Sequence, residues 1–261
     1  MSALAFNNNK IQQLRRLLGR RSSRYDDNCF VVEGPVLAAE AVAAGWDCQA
    51  QFWPDGSGSS IAGAGPIHEL ADGVLERVAS TETPQPPLCI VSMPERDSSA
   101  LLAAAGFVVV LDQISDPGNM GTIARSVEAA GADLVVLTPG SVDPYGPKAV
   151  RASAGALFHV PVVTATIEEV AAFGLVLFGS TSHDAPGRST ESYTSADLSG
   201  RIALVMGNEA AGLPSEWNDS AGPIDQWITI PHQGRSESLN VAMATTVLAF
   251  EAARQRFERS P

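Results

Sequence analysis

What most constrains this chain is a series of short, almost wholly aliphatic runs in its second half: Phe107–Leu111, Leu134–Leu137, Leu175–Gly179, Ile202–Met206 and Trp227–Ile230. A strand with one wet face alternates apolar and polar residues. These runs do not, as expected where helices cover both faces of a parallel sheet. Stretches with helical periodicity lie between and after them, over Asn119–Ala130, Pro147–Leu157 and Ser238–Phe257. The alternation predicts an α/β fold.

The first hundred residues form a smaller pattern. Ile11, Leu14, Leu17 and Leu18 fall at helical spacing over Asn7–Gly19, with Gly19 as a stop. A strand at Cys29–Glu33, a helix opened by Pro35 and running to Ala44, and a strand at Gln49–Trp53 read as βαβ-like. A Gly/Ser-rich loop over 55–65 and the Pro-rich passage at 83–87 precede one more strand, Leu88–Ser92. With 261 residues to divide, the expectation is a small α/β domain over 1–95 and a larger one over 105–261.

Cys29, Cys48 and Cys89 are odd in number and lack metal-type spacing, so they read as buried small hydrophobes, with no metal expected. No apolar run is long enough to span a bilayer and no signal-like segment follows Met1, so a soluble cytoplasmic protein is expected. The formal charge of −12 argues against a polyanionic partner until its distribution is considered. Lys10, Arg15, Arg16, Arg20, Arg21 and Arg24 stand in residues 1–25 without a single Asp or Glu, a basic arm suited to RNA phosphates.

Three loops, each directly after a strand, carry the chemistry, as open α/β sheets dictate. In the first, Asp116-Pro117-Gly118 makes a turn, Asn119 is suited to cap the next helix, and Arg125 lies nearly two turns in, where it can hold a phosphate. In the second, Gly207 and Gly212 flank Glu209 and let backbone approach a ligand closely. In the third, Ile230-Pro231-His232-Gln233-Gly234 leads through Ser238, Leu239 and Asn240 into a helix N-terminus, with Ser238 either the N-cap or a substrate contact. No Gly-x-Gly-x-x-Gly, Gly-Lys-Ser/Thr or His-Glu-x-x-His occurs, which removes the usual support for dehydrogenase, phosphate-loop and zincin readings.

Asp116-Pro117-Gly118-Asn119-x-Gly121-x-x-x-Arg125, Gly207-Asn208-Glu209-x-x-Gly212-Leu213 and Ile230-Pro231…Gly234…Ser238-Leu239-Asn240-Val241-Ala242, in that order, resemble the motifs of the SpoU/TrmH family of RNA ribose 2′-O-methyltransferases in the SPOUT superfamily. Pro147-Lys148-x-x-Arg151-Ala152-Ser153-x-Gly155-Ala156 resembles a segment of its ribosomal-RNA members, and residues 7–53 their small substrate-binding domain.

The resemblance implies a parallel-sheet SPOUT domain threaded into a deep trefoil knot, a rare exception to unknotted chains. It also implies a homodimer and S-adenosyl-L-methionine held by Ser180, Met206, Gly207, Ile230 and Leu239. Arg125 would fix the phosphate and the developing alkoxide, being a poor base, while Glu209 orients Asn119 or Arg125. Ser238 and Asn240 would bond the substrate or shape the loop. His232 stands where many relatives carry an apolar residue, and reads either as a base near the reaction or as a loop histidine at solvent or dimer contact. His68, His159 and His183 read as structural. Ribosomal RNA is the expected substrate; transfer RNA, or a noncatalytic RNA-binding protein on the same fold, are the rivals.

Overall fold

The computed structural model describes residues 3–182, 189–219, 221–235 and 237–259. By internal packing the chain forms two compact units, Met1–Glu95 with Asp143–His159, and Arg96–Val142 with Val160–Pro261. His183 lies outside the described residues.

In the first unit, helices α1 (Asn9–Gly19) and α2 (Arg21–Asp26) precede β1 (Cys29–Glu33), α3 (Pro35–Ala43), β2 (Cys48–Pro54), β3 (Ile67–Leu70), α4 (Val74–Val78) and β4 (Leu88–Ser92). The sheet order is β1-β4-β2-β3. Both β1 and β2 run antiparallel to β4, so the predicted βαβ connection spans one inserted strand rather than joining neighbours. Ile11, Leu14 and Leu17, the predicted apolar face of α1, are fully buried with Phe52, Leu88 and Ile90. Cys29, Cys48 and Cys89 are buried free thiols.

Residues 143–159 depart from the sequence reading, which runs them on with the second domain. Their aromatic residues find partners in the first unit: Tyr145 lies 4.9 Å from Phe30, and Phe158 lies 5.2 Å from Trp46, ring centre to ring centre. The indole N–H of Trp46 also donates to the Phe158 carbonyl at 3.0 Å. The single helix predicted over Pro147–Leu157 stops at Ala152, because Ala154 and Gly155 adopt positive φ (49° and 97°) before a 3₁₀ turn at Ala156–Phe158.

The second unit contains α5 (Ser98–Ala104), β5 (Phe107–Leu111), α6 (Pro117–Ala129), β6 (Leu134–Leu137), β7 (Val162–Thr164), α8 (Ile167–Ala171), β8 (Val176–Ser180), β9 (Thr190–Ser192), β10 (Ile202–Met206), β11 (Gln226–Thr229) and α9 (Val241–Arg259); α7 is the Pro147–Ala152 helix of the first unit. Its sheet runs β7-β6-β5-β10-β8-β11-β9 with every pairing parallel, as the α/β reading expects. All residues of β5 and β10 are buried, which is why these runs carry no polar alternation. Helix α9 packs along α6, joined by a 2.8 Å hydrogen bond from Thr246 to Ser126. No helix among the described residues is long and apolar enough to cross a membrane.

Candidate active site

The carboxyl ends of β8, β10 and β11 open onto a cleft of about 510 Å³ in the second unit, where a parallel sheet with adjacent strands of distant sequence order collects ligands. Its walls include Ser180, Met206, Gly207, Ile230 and Leu239, the five residues expected at the cofactor, together with Glu209, His232, Ser238 and Asn240. Leu213, the last residue of the second motif, also lines it, as do Trp227 and Ala244, which were not expected there from sequence, although Ala244 falls one helical turn beyond Asn240 and was accessible to the same reading.

The glycines act through close approach. A Cβ on Gly207 would collide with the backbone of Gly212 and Leu213, so the strand end and the returning turn meet only because residue 207 has no side chain. Asn208 closes that turn. Its backbone exchanges hydrogen bonds with Gly212 at 3.1 and 2.9 Å, and its side-chain oxygen accepts from the N–H groups of Ala210 and Ala211, both at 3.0 Å.

The turn presents Glu209 to the first loop. One carboxylate oxygen accepts from the Asp116 N–H and the Asn119 side-chain amide, both at 3.0 Å, and the other from the Ser115 N–H at 3.1 Å and its hydroxyl at 3.0 Å. Partial desolvation pushes this carboxyl up, but the hydrogen bonds from Asn119 and from the backbone of Asp116 and Ser115 prevail and hold its pKa at about 2.

Asn119 does not cap α6. Asp116 does, its carboxylate accepting from the Asn119 N–H at 2.9 Å, and this frees the Asn119 side chain to bridge. Its oxygen accepts from the Asn240 amide at 3.1 Å. Asn240 in turn caps α9 by accepting from the N–H groups of Ala242 at 2.9 Å and Met243 at 3.4 Å, the position the sequence left open to Ser238. Glu209, Asn119 and Asn240 thus form one chain of hydrogen bonds that ties the three loops together. Arg125 does not join it. It is exposed on α6, outside the cleft lining, with no hydrogen bond or ion pair among the described residues.

In the first unit Lys10, Arg15, Arg16, Arg20 and Arg21 are exposed. Arg24 is not, and it leaves the set expected to meet RNA. It is 6% exposed, its Nε–H donates to Asp143 at 2.7 Å, and another guanidinium N–H donates to the Leu17 carbonyl. Its place among the cations of residues 1–25 could not reveal an acid 119 positions further on.

Residues 106–250 match the SpoU rRNA Methylase family, and residues 8–89 match the MRM3-like substrate binding domain. The 23S rRNA (guanosine(2553)-2′-O)-methyltransferase RlmP of Bacillus subtilis is 31% identical, over 93% of this chain and 95% of that one. The 23S rRNA (uridine(2479)-2′-O)-methyltransferase of Streptomyces viridochromogenes is 32% identical, over 95% and 91%. Among solved structures, the SpoU methyltransferase AviRb of Streptomyces viridochromogenes in complex with AdoMet superposes with a TM-score of 0.83 at 30% identity, over 96% of this chain and 99% of that one. With both of its units matched, this chain belongs to the SpoU rRNA methylase family.

Proposed function

We propose that this chain methylates a ribose 2′-hydroxyl of 23S ribosomal RNA, using S-adenosylmethionine. The observation that carries this is the cleft itself, whose rim joins all three motif loops through the Glu209–Asn119–Asn240 hydrogen bonds. Its volume suits a cofactor-sized ligand, and its walls mix apolar side chains such as Met206, Leu213 and Ile230 with hydroxyl and amide groups and turn backbone, with few charges. Met206, Gly207, Ile230, Leu239 and Ser180 would hold the cofactor, which when bound supplies an electrophilic methyl group on sulfur. The rest of the site positions ribose, and positioning alone supplies much of the acceleration of such a transfer. Arg125, exposed and without a hydrogen bond or ion pair among the described residues, is the group for the adjacent phosphate. Lys10, Arg15, Arg16, Arg20 and Arg21 offer cations to the RNA backbone.

Ribosomal rather than transfer RNA is favoured because the relatives named for 23S rRNA match across nearly the full chain, substrate-binding unit included. The insertion of β10 between β5 and β8, and of β8 between β10 and β11, is the topology from which we infer the trefoil knot. A homodimer is supported by Met243, Phe250 and Phe257, an exposed apolar stripe with seven-residue spacing on α9. A ribosomal substrate implies a cytoplasmic protein.

Two measurements test this reading: isothermal titration with S-adenosylmethionine, and transfer of labelled methyl to 23S rRNA from cells lacking the gene. Ala244→Trp, which fills the cleft without the backbone collision that any Gly207 substitution brings, is expected to lose cofactor binding while remaining folded. No binding by the wild type at millimolar cofactor would favour the noncatalytic rival, and methyl transfer to transfer RNA alone would favour the other.

A further inference from the structure

At the end of β5 the chain leaves the sheet in a way that strand pairing does not explain. The Asp112 N–H makes the last bond to β10, donating to the Met206 carbonyl at 2.8 Å. Gln113, the next residue, turns to a φ of 51°, in the left-handed region. Glutamine gains nothing there, since its Cβ crowds the backbone at positive φ and only glycine is free of that cost.

Side chains from two neighbouring strand ends hold it. The Gln113 N–H donates to the hydroxyl of Thr138, directly after β6, at 3.0 Å, and the Gln113 carbonyl accepts from the side-chain amide of Asn208, two residues after β10, at 2.8 Å. A hydroxyl has one proton. Thr138 gives it to the Asp112 carboxylate at 2.8 Å, which leaves its lone pairs facing the Gln113 N–H. Asp112 and Thr138 are both buried. Burial pushes the Asp112 carboxyl up, against the Thr138 bond that favours its charged form, and placing an acid there costs free energy that packing alone would not require.

The consequences run toward the cleft. The Asn208 side chain that donates to Gln113 also accepts from the N–H groups of Ala210 and Ala211, and so shapes the turn between Gly207 and Gly212 that walls the cleft. Two residues past Gln113, the Ser115 N–H and hydroxyl meet Glu209. We propose that Asp112 and Thr138 are positioning residues for the cofactor cleft: together they lock Gln113 in its left-handed turn, and that turn holds Asn208 and the Gly207–Gly212 wall in the shape that binds S-adenosylmethionine. Neither side chain lines the cleft itself. The proposal rests on the methyltransferase reading, and the experiment separates the two.

Calorimetric affinity for S-adenosylmethionine and the melting temperature are measured for wild type, Thr138→Ser, Thr138→Val, and Thr138→Val combined with Gln113→Gly. Valine copies the shape of threonine without its hydroxyl. Once the lock is lost only a fraction of molecules holds the competent turn, and apparent affinity falls with that fraction, by about tenfold. Thr138→Ser keeps the hydroxyl and should bind within about threefold of wild type. Gln113→Gly adopts positive φ without strain, so the combined variant should recover about threefold of the tenfold loss. In methyl transfer to 23S rRNA, Thr138→Val should raise the cofactor KM about tenfold and keep kcat at saturating cofactor within about threefold of wild type. A hydroxyl that serves stability alone would lower the melting temperature and move neither the KM nor the response to glycine.

If folded Thr138→Val binds the cofactor within about twofold of wild type, or if Gln113→Gly restores nothing, the proposal is overturned. Should Thr138→Val not fold, Gln113→Val decides in its place, since it alters an exposed residue and a β-branched side chain resists positive φ. It is expected to weaken cofactor binding as Thr138→Val does, and an unchanged affinity would overturn the lock. A wild type that binds no cofactor at millimolar concentration would instead overturn the reading beneath it.

Discussion

At the level of single residues, Glu209 makes the most quantitative demand. Its pKa of about 2, depressed from 4.5, means that its ionised form is bonded in the folded state and less so in the unfolded one. A depressed pKa gives stability that is fully present above pH 4.5 and is lost as pH falls from there toward 2. Glu209→Gln should therefore cost about 1 kcal/mol near pH 7, a modest figure because water competes at an exposed carboxylate. The gap between wild type and variant should close progressively between about pH 5 and pH 2 in urea titrations; a gap independent of pH would mean that the carboxylate charge is not what the Ser115, Asp116 and Asn119 donors hold. The family resemblance placed Arg125, Asn119, Glu209, Ser238 and Asn240 at one site, with Glu209 orienting Asn119 or Arg125; the structure bonds Glu209 to Asn119 and Asn119 to Asn240. The resemblance could not assign that bonding. Asp116 and Asn119 are both capable caps, and which one caps α6 depends on where the chain enters the helix, a backbone fact that residue type does not encode.

Helices and strands were legible in proportion to how strongly burial patterned them. The runs at 107–111, 134–137 and 202–206 became β5, β6 and β10 with the predicted bounds, because every residue in them is buried. Strand β7 and helix α8 are too short to impose a period and were not read from sequence, although Thr166 and Glu169 form a capping box at the start of α8. The start of α9 was read as Ser238, three residues early, because a serine before an apolar period is a common opening. The structure assigns the cap to Asn240, and the assignment is testable. Asn240→Ala removes acceptors from the Ala242 and Met243 N–H groups and should cost about 1 kcal/mol, seen as a lower melting temperature. Ser238→Ala should leave stability within about 0.5 kcal/mol of wild type, as surface substitutions usually do. Equal losses from the two substitutions would contradict the assignment.

For the molecule as a whole, the consequential feature is that the first unit is not continuous in sequence. Residues 143–159 leave the strand order of the second unit after β6 and complete the first, bringing Tyr145 to Phe30, Phe158 to Trp46 and Asp143 to Arg24. No local pattern announces such an excursion, because Pro147–Leu157 is as good a helix for one unit as for the other. The Arg24–Asp143 pair holds the excursion at its first residue, with both side chains under 10% exposed. Removing one partner of such a pair strands the other in a site without water, so Asp143→Ala should destabilise the chain by about 3–5 kcal/mol. Replacing both, as Arg24→Met with Asp143→Leu, should cost clearly less, since no buried charge remains. Urea unfolding followed by fluorescence in a background where Trp53, Trp217 and Trp227 are replaced by Phe reads the event at Trp46, because its indole N–H is bonded to the Phe158 carbonyl at the far end of the same segment. A double variant as unstable as Asp143→Ala would show that the ion pair itself, rather than the avoidance of an unpaired charge, holds residues 143–159 in the first unit.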